Sequence, residues 1–362
     1  MNISRQHLMT VINGLYDLGE HSFAVQHPGD DVGTLFRVQL DRENPVATVS
    51  FTDTIEALNE RKSEIQIQYG DRPADDLPDT QTVIRALTSA GVLEFANQQT
   101  VEQYIDRHCY PAVEAGEDPI MVGIDTNLFP WEFPHQMGLD HVTGSKNSAG
   151  RQPTNGYVLS NGVVDELHWQ YTHFDTDELV DAFGSEFETL ADQPAGAKRE
   201  GRLGIQVYQQ LIGSRNVDLI DSEPGDSNII EGYAEYTASS RKEPLLLSND
   251  HGFVDEAHDH SLLAQRLAFK QEVPPRTTVS WFELVETLYY LTILFGVLKL
   301  PKVTLYGVWE GKQDNNWQAE EVNIDCRGSN SNIQTILARH RRIADQYDAA
   351  VQSGDNFGNV DS

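Results

Sequence analysis

Four carboxylates stand where elements in the middle of the chain begin or end. Asp125 follows the apolar run Pro119–Ile124, in the string Gly-Ile-Asp-Thr-Asn. Asp250 follows Leu245–Leu247, in Leu-Leu-Leu-Ser-Asn-Asp-His-Gly-Phe. Asp226 opens a predicted helix whose apolar face carries Ile229, Ile230, Tyr233 and Ala234. Glu166 sits in a short predicted helix behind the strand Gly156–Leu159, with Val163 and Leu167 toward the core. In an open α/β sheet, functional groups collect at the carboxyl ends of the strands, so Asp125 and Asp250 are expected on one edge. A carboxylate at a helix N-terminus is favoured by the helix dipole and can point to the same edge. Carboxylates gathered in this way raise one another's pKa unless a cation neutralises them. All-oxygen ligand sets with retained water suit Mg²⁺ or Mn²⁺. Such an ion lowers the pKa of bound water and stabilises charge on a phosphodiester. Each acid also has an ordinary structural reading: Asp226 as an N-cap, Glu166 as a solvated helix residue. The chain is rich in such residues, with 56 acids among 362 positions. The joint placement is what points to chemistry.

The elements that must position these acids read as alternating strands and helices, the pattern of a parallel sheet with right-handed crossovers. Strands are expected at Pro119–Ile124, Gly156–Leu159, Val217–Ile220, Leu245–Leu247 and Leu262–Ala268. Helices are expected at Val163–His168, Thr176–Leu190, Leu203–Ile212 and Ile229–Ser239. Residues 118–272 therefore form an α/β unit. Residues 1–117 read as an α+β module with strands at Leu35–Leu40, Ala47–Phe51 and, from its period-2 alternation, Ser63–Gln68. Its helices are expected at Gln81–Ala90 and Val101–Cys109, with a loop at Gly70–Asp79. Val273-Pro274-Pro275 marks a junction to a C-terminal extension, 273–362, expected to pack on the middle unit. That extension reads as helix Trp281–Leu300, strand Val303–Val308 and helix Asn332–Val351, with a frayed end at Ser353–Ser362.

On these strings the middle region resembles a PIN domain, a metal-dependent nuclease fold. The order Gly-Ile-Asp-Thr-Asn (123–127), Val-Val-Asp-Glu-Leu (163–167), Asp-Ser-Asn-Ile-Ile-Glu-Gly-Tyr-Ala (226–234) and Leu-Ser-Asn-Asp-His-Gly-Phe (247–253) is similar to that family's succession of motifs. The resemblance spans about 150 of 362 residues. It implies that Asp125, Glu166, Asp226 and Asp250 ligate one or two Mg²⁺ or Mn²⁺ ions and carry endonucleolytic cleavage, most naturally of RNA. It further implies that Asn127 and Asn249 are polar partners, that Ser248 fills a small hydroxyl position, and that Asp255 is an auxiliary ligand. The segments between the first three acids are longer than in minimal toxins of this family, and the flanking regions have no counterpart in the pattern. A catalytically inactive scaffold of the same fold is the alternative reading, and a phosphatase acting on small phosphoesters is a third.

Composition bounds the partners. Against 26 basic residues the 56 acids give a net charge of −30, spread along the chain. With 5 Trp, 13 Tyr and 14 Phe the chain is too aromatic to be disordered. The acidity, with 8 Lys against 18 Arg, suggests a halophilic, high-salt cytoplasm. If nucleic acid binds, its phosphates are expected on the scarce basic clusters: Lys198, Arg199, Arg202 and Arg215, then Arg241 and Lys242. A further run, Arg339–Arg342, lies on the last helix, and Trp281, Trp309 and Trp317 could stack on bases. His251, His258 and His260 lack the spacing of a zinc site. Cys109 and Cys326 read as reduced cytosolic thiols. No signal peptide is evident at Met1–Leu15. The apolar stretch Leu288–Leu300 is too short to span a bilayer, so no membrane partner is expected. The flanking regions could serve a partner protein or a second copy.

Overall fold

A computed structural model describes residues 1–41, 43–139, 144–154, 156–167, 175–310 and 321–353. The expectations touching His168, Trp317 and residues 354–362 lie outside the described residues. In chain order the strands are β1 (Asn2–Ile3), β2 (Ser22–Gln26), β3 (Thr34–Leu40), β4 (Val46–Phe51), β5 (Ile120–Ile124), β6 (Gly156–Ser160), β7 (Val217–Ile220), β8 (Glu243–Ser248), β9 (Leu263–Arg266), β10 (Arg276–Ser280), β11 (Val297–Leu300), β12 (Val303–Glu310) and β13 (Glu321–Gly328). They form two sheets.

The middle of the chain builds a five-stranded sheet in the order β7-β6-β5-β8-β9, every pair parallel. Helices cover it, so its central strands are apolar throughout: Ile120, Met121, Val122 and Ile124 of β5 are buried, as are Leu245, Leu246 and Leu247 of β8. Gly123 is required by that closeness. A Cβ there would sit 2.5 Å from Leu246 and 3.1 Å from the Tyr233 ring. Tyr233 in turn donates from its hydroxyl to Val158 O at 3.2 Å. This seats the helix Asp226–Ser239 on the sheet and brings its first residue to the carboxyl edge. The chain is thus α/β with a helix-flanked parallel sheet, as its alternating pattern implied.

The second sheet has eight strands, β1-β13-β12-β11-β2-β3-β4-β10. Its strands come from both ends of the chain. The strand β10 pairs with β4 over Arg276–Ser280, β11 meets β2 at Lys299 and Gln26, and β1 pairs with β13. Residues 1–117 and 273–362 are therefore joined in one antiparallel sheet, with the parallel sheet inserted between its halves, rather than being two separate modules. Two local expectations also change. Ser63–Gln68 lies inside the helix Leu58–Tyr69, which buries Ile65 and leaves Ile67 88% exposed, so the alternation marks no strand face. The stretch Trp281–Leu300 is a helix only to Phe295. Gly296, at φ 75°, then turns the chain into β11. The loop Gly70–Asp79 holds a short helix, Asp71–Asp76. Among the described residues no helix is long and apolar enough to cross a membrane.

Candidate functional site

The strand order reverses between β5 and β8, and this is where α/β sheets open a crevice beyond the carboxyl ends of their strands. Asp125 and Asp250 stand on either side of it. The paired register Ile124–Leu247 and the hydrogen bond from Asp125 N to Leu247 O (3.0 Å) fix the two ends together. Asp125 is only 4% exposed. Its Oδ2 accepts from Asn127 Nδ2 at 2.6 Å and from the Ser248 hydroxyl. Ser248 also accepts from Asp250 N at 2.8 Å, and Asn249 N donates to Asn127 Oδ1 at 3.3 Å. Asn127 and Ser248 thus orient Asp125 and tie the two strand ends to each other.

The other two expected acids face the same crevice. Glu166, on the helix Asn161–Leu167, accepts from the Thr126 hydroxyl beside Asp125. It also accepts from Gly225 N at 2.8 Å, next to Asp226. Asp226 is the first residue of its helix, and the N-cap is Gly225 rather than the aspartate. Asp250 is itself an N-cap, accepting from Gly252 N at 2.6 Å.

The electrostatics report the convergence. Burial pushes the Asp125 carboxyl up to about 7; the Ser248 hydroxyl opposes this, and the negative charges of Asp226 and Glu166 add to it. Asp226 is also raised, by partial burial and by the charges of Glu166, Asp250 and Glu256. Glu256 was not anticipated. It lies on the helix His251–Asp259, six residues after Asp250. Asp255, expected as an auxiliary ligand, instead faces His251 in an exposed pair at 3.3 Å. Among the described residues no three His, Cys, Asp or Glu side chains are gathered tightly enough to enclose a metal ion. The donor set is nevertheless all oxygen, and among the described residues no basic side chain offsets the charge at Asp125.

The basic residues proposed for nucleic acid are distributed otherwise. Arg199 is 1% exposed and ion-paired with Asp76 at 3.0 Å, so it is withdrawn from any polynucleotide. Lys198 and Arg202 line a separate cavity. Arg241 and Lys242 precede β8 and Arg215 precedes β7, which places all three at the amino edge of the parallel sheet. At about 3.3 Å per residue, the length of β8 sets Arg241 and Lys242 roughly 20 Å from Asp250. Lys242 is held by Asp218. In the last helix, Arg339 and His340 engage Asp17 and Arg341 engages Asp345. A basic residue does stand at the acidic edge, and it was missed. Arg266 ends β9, is exposed, and donates through Nε to Asn249 O at 3.0 Å. The rule that found Asp125 and Asp250, a polar residue ending an apolar strand, applies equally to Arg266.

No protein-family model, curated protein or solved structure matches this chain.

Proposed function

We propose that this chain is a PIN-like, metal-dependent endonuclease that hydrolyses phosphodiester bonds, with RNA as the substrate, at the crevice between β5 and β8. The observation that carries the reading is the approach of Asp125, Glu166, Asp226 and Asp250 at one switch point, where no basic side chain among the described residues is paired with any of the four. A divalent ion, Mg²⁺ or Mn²⁺, would relieve that repulsion, and it would supply an activated water and charge stabilisation at the phosphate. Asp125 and Asp226 would hold it, with Glu166 and Asp250 completing the set. The carboxylates must draw closer to enclose it, as a central positive charge favours.

The chain's own residues provide the rest. Ser248 and Asn127 fix the Asp125 carboxylate by donating to one of its oxygens. Thr126 and Gly225 N fix Glu166 by donating to its two different carboxylate oxygens. Arg266 offers its terminal guanidinium nitrogens to a substrate phosphate at the edge of the same crevice. The test is incubation of the purified chain with labelled single-stranded RNA and Mn²⁺. Cleavage by the wild type that disappears in Asp125→Asn and Asp250→Asn supports the reading. Equal cleavage by the double variant, or none by the wild type, rejects it.

A non-catalytic scaffold of the same fold is favoured by one observation: Arg199, Arg215, Arg241 and Lys242 are buried or on the far edge. Such a scaffold would show no tight Mn²⁺ site.

A further inference from the structure

A cavity of about 690 Å³ opens where the segment Asp71–Thr82 meets the turn Gln193–Gly196 and the start of the helix Ala197–Ser214. None of the acids of the β5–β8 crevice lines it. In a chain with more than two acids for every base, this cavity is lined by Lys62, Arg72, Arg85, Lys198 and Arg202 against five acids, an even balance. Most of these acids are committed within the fold. Asp76 takes Arg199 and, at 3.1 Å, Gly196 N. Asp79 caps a helix through Thr82 N at 2.6 Å. Asp71 accepts from Gln66 at 2.7 Å, and Glu200 accepts from the Thr82 hydroxyl at 3.4 Å.

Arg85 and Lys62 keep donors that the fold does not use. The Arg85 guanidinium carries five N–H donors; it is ion-paired with Glu200 at 3.7 Å, longer than a hydrogen bond, and lies over the Phe269 ring. Its Nε is buried and has no partner. Lys62 donates to Leu77 O at 2.5 Å, which leaves two of its three ammonium donors, and it lies in the field of Asp75, Asp76 and Asp79. A buried donor without a partner calls for an acceptor, and such groups are rare in native folds. Leu77, Pro194 and Leu294 give the cavity an apolar wall. Its volume falls in the range that holds small organic ligands, far larger than a free phosphate needs.

We propose that this cavity binds a phosphorylated small molecule of about nucleoside-monophosphate size, its phosphoryl oxygens accepting from Arg85 and Lys62 and its apolar body lying on the Leu77–Leu294 wall. The test is calorimetric titration of AMP, and separately of inorganic phosphate, into the full chain in EDTA, at low and at molar KCl. The proposal expects AMP to bind, with inorganic phosphate weaker. It expects Arg85→Gln and Lys62→Met each to weaken AMP at least tenfold while Asp125→Asn leaves it unchanged. Ala197→Trp, which fills the rim without removing a charge, should also block AMP and covers the case in which Arg85→Gln fails to fold. Absence of AMP binding to the wild type, equal binding by the folded variants, or loss of binding in Asp125→Asn would each overturn it.

Discussion

Among the described residues two aspartates are buried, and their circumstances are opposite: one is ion-paired within the fold and the other is not. Asp76 is 2% exposed and meets the equally buried Arg199, whose guanidinium also donates to Pro194 O and Leu294 O. Burial pushes Asp76 up, while Arg199 and Gly196 N pull it back. Gly296 leaves room for that guanidinium, since a Cβ there would lie 2.7 Å from Arg199 Nη2. The pair ties the helix Ala197–Ser214, beside the parallel sheet, to the helix Asp71–Asp76, and Arg199's bond to Leu294 O reaches the end of the helix Trp281–Phe295, which leads into the antiparallel one. Asp125 is as deeply buried, but it meets only neutral donors and further acids. A charge that the fold completes is there to hold elements together. A charge that the fold leaves incomplete is, on the proposed reading, where a divalent ion would bind.

The sharpest way to break this contrast is to neutralise each aspartate in turn. Asp76→Asn strands a buried guanidinium and should cost about 3–5 kcal/mol in chemical denaturation. Asp125→Asn should be neutral or stabilising in EDTA at pH 8, because it removes a carboxylate that burial disfavours. Comparable losses from both would erase the distinction.

Next in size is the pH dependence. Asp125 ionises near 3.8 when unfolded and at about 7 in the fold. The native state therefore keeps a proton that the unfolded state has released. The stability associated with that proton is fully present below pH 3.8 and is lost as pH rises through about 7. The full span is on the order of 4 kcal/mol. Denaturation across that window in EDTA should show the decline, and Asp125→Asn should flatten it.

Ser248→Ala tests the orientation of Asp125. Loss of an outer partner of this kind lowers metal affinity by about 10–100-fold, which Mn²⁺ titration would read. Arg266→Gln should have the smallest effect, weakening RNA binding and lowering its salt dependence by about one phosphate contact. Arg241→Gln and Lys242→Gln, at the far edge, should change neither.

What was legible in the sequence followed from local rules. Apolar strands ending in Asp125 and Asp250 could be read because a parallel strand buried on both faces carries its own hydrophobic run. What depended on distant partners could not be read. Arg199 resembles any surface arginine in a basic cluster until Asp76, more than 120 positions earlier, and Gly296, nearly 100 later, are folded around it. The antiparallel sheet was hidden for the same reason. Strands as short as β10 and β11 gain their identity from partners at the other end of the chain. Local caps were also deceptive, since Gly225 rather than Asp226 caps one helix while Asp250 caps another.

The most direct measurement of the central claim is calorimetric titration of Mn²⁺ into the purified chain and into Asp125→Asn and Asp226→Asn. Saturable binding by the wild type that both substitutions abolish, with the fold intact by circular dichroism, is the predicted result. No binding by the wild type, or binding that survives both substitutions, would contradict it.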